Sequence, residues 1–225
     1  MNAPAGPAAS PDDGARAWEG AALRLLDDPY VFAAAGPRLH PDWAEDVLAV
    51  LRREGGDPRG WRALDWDRDG EERAATGPSF PFLPGLTAAA LHAGLHPLDG
   101  AAAVDLLASF TQEWTFETAP LYGRTPEALE AVRADARTLL RRFDGPGAEA
   151  GDAAGGEAGA EAGDEVATYW TTSPLARTTT TPDFLKDRLA GGGARFTDYA
   201  EELGLIVVAP SPVDEVGVFW SFNAL

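Results

Sequence analysis

The amino-acid sequence predicts a mainly α-helical α+β protein. A helical N-terminal domain over 15–143 is followed by a flexible acidic linker over 144–165 and a small C-terminal region over 166–225 with two or three β-strands. Three observations predict it. Helix starts in which proline follows a capping residue recur along the first half; one low-complexity stretch interrupts the chain; after it, helical apolar spacing gives way to runs of β-branched and aromatic residues.

Residues 1–14 are proline-rich, carry no basic side chain and read as a frayed tail. Trp18, Ala22, Leu25 and Leu26 then imply a first helix. His40-Pro41-Asp42 presents a cap, a proline at the first helical position and an acid that complements the helix dipole. Trp43, Val47, Leu48 and Leu51 mark its apolar face, and Gly55 ends it. Helices over about 86–95 and 100–117 follow, the second showing Val104, Leu107, Phe110 and Trp114 at helical spacing. Thr125-Pro126-Glu127 repeats the start signal ahead of Leu129, Val132, Ala136, Leu139, Leu140 and Phe143.

Asp144 to Glu165 consists only of Gly, Ala, Pro, Asp and Glu, so it has nothing to bury against the entropy of ordering itself. Beyond it, Val166 to Thr172 alternates in the manner of a strand, Thr181-Pro182-Asp183 resembles another helix start, and a short helix is expected at about 197–203. Leu205 to Val208 and Val216 to Phe222 predict two strands joined by Pro210-Ser211-Pro212. Val216, Val218, Trp220 and Phe222 share one face, and a strand so apolar must be central or covered. A region of this size is marginal alone and is expected to pack on the helical domain.

The formal charge is −18, from 18 basic and 36 acidic side chains in 225 residues. It is concentrated in two places, −7 at 144–165 and −4 at 65–72. A uniformly acidic surface, such as a nucleic-acid mimic needs, is therefore poorly supported, and no basic excess favours nucleic-acid binding. The absence of cysteine excludes disulfide scaffolds, zinc-thiolate sites, iron–sulfur clusters and cysteine nucleophiles. With a single Lys and a single Ile, the composition fits a high-GC bacterial source. Neither a secretory signal nor a long apolar span is legible, which predicts a cytoplasmic protein with no membrane partner.

Several residue patterns carry candidate chemistry. Asp65, Asp67 and Asp69 alternate ahead of Gly70 and Glu71, as oxygen ligands do at the start of a calcium loop. Glu72 and Thr76 stand where such a loop needs an apolar residue and a bidentate Glu, so a solvated acidic turn is the plainer reading. His92 and His96 have the spacing of a helical zinc pair, but the general-base Glu of the metalloprotease pattern is missing and Pro97 favours a helix end there. Glu113 and Glu117, beside Trp114 and Phe116, could act as acid and base or simply line a solvated face. Arg133, Arg137 and Arg141 form a cationic stripe that needs acidic neighbours, for which the linker is one source. Trp61 and Trp66, beside the acidic turn, read as an exposed, interaction-prone pair. The exposed-looking run Thr178 to Thr181 after Arg177 could accept phosphate, and Gly191 to Gly193 reads as a hinge.

The absence of every standard catalytic signature makes a non-catalytic interaction or regulatory protein the leading expectation, immunity- or antitoxin-like, with a basic protein as partner and no cofactor. A metal-binding protein or metal-dependent hydrolase, using calcium at 65–72 or zinc at His92/His96, is the alternative.

Overall fold

The computed structural model describes residues 11–26, 31–54, 79, 81–110, 125–145, 166–184, 195–199 and 201–223. Five α-helices and a five-stranded sheet make up the described chain. In chain order these are α1 (Pro11–Leu25), β1 (Val31–Pro37), α2 (Trp43–Leu51), α3 (Ala88–Gly94), β2 (His96–Leu98), α4 (Gly100–Ser109), α5 (Pro126–Leu140), β3 (Thr168–Thr171), β4 (Glu201–Val208) and β5 (Glu215–Asn223).

Local chemistry accounts for the helix starts. Thr125 caps α5 through the backbone N–H of Ala128 at 3.2 Å, with Pro126 in the first turn as the sequence predicts. Thr87 caps α3 through Ala90, and Asp99 caps α4 through Ala102 at 2.7 Å. At α2 the cap is Asp42, which accepts from Ala44, whereas the expected start had placed Asp42 inside the helix behind Pro41. The helix ends in a Schellman pattern, with Glu54 N–H donating to Ala49 and Arg53 N–H to Val50. Arg53 takes the left-handed φ of 57° that glycine usually supplies there.

The sheet order is β1-β5-β4-β3-β2, antiparallel throughout. It overturns the expected division into a helical N-terminal domain and a small C-terminal strand region. The three C-terminal strands form the centre of the sheet, and the first half of the chain supplies both edges, β1 against β5 and β2 against β3. The physical reason lies in the strands themselves. Leu203, Leu205 and Val207 of β4 point into one apolar cluster and Ile206 and Val208 into another, so both faces require a cover. Helices α1, α4 and α5 supply one layer, and α2, α3 and the segment around Phe82 supply the other.

The interior place of β5 meets the requirement that its Val216, Val218 and Trp220 face be buried. Two close approaches fix the sheet against its covers. A Cβ on Gly217 would stand 2.3 Å from the Phe143 ring, and one on Gly204 would stand 2.5 Å from Trp220. The short helix expected at 197–203 is absent from its described part: Thr197 bridges to Phe82, and Glu201 already begins β4. The acidic run at 65–72, most of the linker (146–165), Glu113, Glu117 and the glycines 191–193 lie outside the described residues.

Candidate functional site

The N-terminal turn of α2 gathers a polar and aromatic arrangement of His40, Asp42, Trp43, Asp46, His92 and Trp170. Asp42 bonds His92 Nε2 with both oxygens, at 2.9 and 3.1 Å, while capping Ala44. The Ala44 amide first, and His92 second, hold the Asp42 carboxyl below its ordinary range. The His92 ring meets Trp43 edge to face at 4.9 Å and 74°. Trp43 in turn stacks on Trp170 of β3 at 5.3 Å and 26°. Glu45 is exposed on the same turn, and Pro97, paired with Trp170 across β2 and β3, is exposed.

A second histidine–aspartate pair stands on the same turn. Asp46 is 2% exposed. It accepts from the backbone N–H of Leu39 and His40 and holds His40 Nδ1 at 2.6 Å. That bond raises the His40 pKa above the ordinary imidazole value. The arrangement orients one ring nitrogen and leaves the half-exposed imidazole edge to solvent.

His92 and His96 do not form a pair. Helix α3 stops at Gly94, Leu95 turns extended, and His96 opens β2 opposite Thr171, on the face that Leu98 shares with α4. His92 stays on the other face with Trp43. The spacing argument fails because it assumes one continuous helix, and the extended Leu95 breaks it. Burial first, and Arg177 second, push the His96 pKa down. Among the described residues no group of three or more His, Cys, Asp or Glu is arranged to hold a metal ion.

Two arginines of the stripe, Arg133 and Arg137, are satisfied from within. Arg133 forks onto Asp105 of α4 at 2.6 and 3.2 Å, and Arg137 pairs with Glu130 on its own helix. Arg24 of α1 bonds Asp135 of the same helix α5 through two nitrogens. The acids the stripe needs therefore include Asp105 and Glu130, side chains of α4 and α5 themselves. Arg141 lies exposed in the 3-10 turn Arg141–Phe143 after α5. Arg142, next to it, bonds Glu215 at 3.0 Å with its guanidinium 5.3 Å from the Trp18 ring. The run Thr178 to Thr181 is exposed.

Asp65, Asp67, Asp69, Glu71, Trp61 and Trp66 lie outside the described residues. The sequence reading missed Asp42, Trp43, Asp46, His40 and Trp170 as a group. It took His40-Pro41-Asp42 for a helix start and Trp43 for core, and no periodicity links residue 43 to residue 170. No protein-family model matches the chain, and no curated protein or solved structure matches it either.

Proposed function

We propose that this chain is a non-catalytic interaction or regulatory protein of the cytoplasm, one that lays an acidic surface on a basic partner as immunity proteins and antitoxins do. The observation that carries the reading is the internal use of its arginines. Arg24, Arg133, Arg137 and Arg142 are each held by the chain's own carboxylates, in a chain whose formal charge is −18. Such arginines are poor bait for an anionic ligand, and the acidic surplus, concentrated at 65–72 and 144–165, is what this reading offers a basic partner. No helix among the described residues is long and apolar enough to cross a membrane.

The test is recovery of the tagged chain from its source cell at low salt. The expected result is a basic protein in a stoichiometric complex that dissociates steeply between about 0.1 M and about 0.5 M salt, as screening of surface charge requires. A chain that comes back alone, or a partner whose grip ignores salt, overturns the reading. A second reading, a calcium-binding protein or calcium-dependent hydrolase, rests on the alternation of Asp65, Asp67 and Asp69 before Gly70. It requires that calcium raise the melting midpoint and that Asp67→Ala abolish the rise; a midpoint indifferent to calcium excludes it.

A further inference from the structure

We infer that the surface formed by Asp42, Trp43, Glu45 and His92 receives an arginine side chain of the basic partner. The inference rests on the interaction reading above and names the contact at its centre. Four observations carry it.

The chain already builds the complete arrangement once, inside itself. Arg142 stands 5.3 Å over the Trp18 ring while its Nε donates to Glu215 at 3.0 Å, with the two charged side chains only 7% and 18% exposed. Indole, guanidinium and carboxylate thus assemble into one buried unit, the geometry in which cation–π attraction and a charge-assisted hydrogen bond reinforce each other.

At the N-terminal turn of α2 the indole and the carboxylates are present again. Trp43 is half-buried and held in place by Trp170 behind it and His92 at its side. Asp42 is 43% exposed, and Glu45 is exposed on the same turn. Among the described residues, no Arg or Lys pairs with Asp42 or stands over Trp43. The neighbouring cations are engaged elsewhere: Arg38 donates to Ala209, Arg52 to Leu86, and Arg53 lies over Phe32 at 5.2 Å.

Charge complementarity selects the occupant. The turn from Pro41 to Asp46 exposes two carboxylates, Asp42 and Glu45, and holds no Arg or Lys, and the ring beside Asp42 is an indole. A planar guanidinium can lie on the indole and fork onto a carboxylate at once, whereas an ammonium offers only a point charge. The surroundings fit a contact centre. Trp43, packed on Trp170 and His92, is an aromatic anchor of the kind on which interface energy concentrates.

The experiment titrates the full chain with N-acetyl-argininamide at low salt and follows the indole N–H resonances by NMR. The expected result is a saturating shift of the Trp43 resonance. The Asp42→Asn/Glu45→Gln variant should lose it, since Asn still caps α2 and the fold is checked by an unchanged melting midpoint. In the purified complex the same variant should weaken partner binding at least about tenfold. No shift, a shift that the variant retains, or an equal response to N-acetyl-lysinamide overturns the inference. So does self-association of the chain that the variant abolishes, because a second copy would then be the occupant. A partner bound equally by both forms overturns this contact and leaves the interaction reading standing, whereas a native chain without a partner overturns that reading instead.

Discussion

Asp46, buried in the second half of the first turn of α2, fixes His40 twice, through the backbone N–H and through Nδ1 at 2.6 Å. One carboxylate thereby ties Leu39 and His40, which follow β1, to the first turn of α2. Asp46→Ala removes the acceptor for Leu39, His40 and the imidazole together. Urea unfolding should show a loss of about 2 kcal/mol, the scale of hydrogen bonds to a charged group, and Asp46→Asn a smaller one. An Asp46→Ala protein as stable as the native chain would contradict this role.

The two described histidines with displaced pKa values should titrate in opposite directions from the ordinary imidazole value. His40, raised by Asp46, contributes stability that is fully present below the unfolded value and lost as pH rises through the folded one. His96 is lowered by burial and by Arg177, so protonation opposes folding there and stability falls as pH drops through the unfolded value. NMR titration should give His40 the higher midpoint. Asp46→Asn should lower it, and Arg177→Gln should raise that of His96.

Gly217 is a packing requirement rather than a flexible point. Its Cα faces the Phe143 ring, fully buried and set edge-on to Phe219 at 6.2 Å. Gly217→Ala should cost about 2–3 kcal/mol, since neither ring nor strand can withdraw. The double variant Gly217→Ala/Phe143→Leu should recover part of that loss in a thermal melt, an outcome that a purely conformational role for glycine would not produce.

Glu215 answers Arg142 in a site with little water. Glu215→Ala leaves a guanidinium that is 7% exposed without that carboxylate, and about 3 kcal/mol of stability should go with it. Replacing both, as Arg142→Met/Glu215→Leu, should bring stability most of the way back in the same unfolding measurement. A double variant no better than Glu215→Ala would show that the pair does more than compensate its own burial.

Much of the helical layer was legible because its signals are local. Thr125-Pro126 starts α5, and Leu139 and Leu140 land on its buried stripe, as spacing predicts. The strand β1 was not legible. Its Ala33, Ala34 and Ala35 have weak β-propensity, and they are extended because β5 pairs with them, Ala34 opposite Val218 and Phe32 opposite Trp220. The pairing of Trp43 with Trp170, and of Arg133 with Asp105, joins positions that no local pattern connects.

By itself the sequence determined the Thr125-Pro126 start of α5, the apolar character of the last two strands, the lack of thiol chemistry and the acidic surplus, because each follows from residue type and near-neighbour spacing. Only the tertiary structure decided that the C-terminal strands are the centre of the sheet, that His92 and His96 part to opposite faces, and that Arg133 of the stripe meets Asp105 of α4. Those outcomes depend on burying both faces of one sheet at once, a requirement met by contacts between residues far apart in the chain.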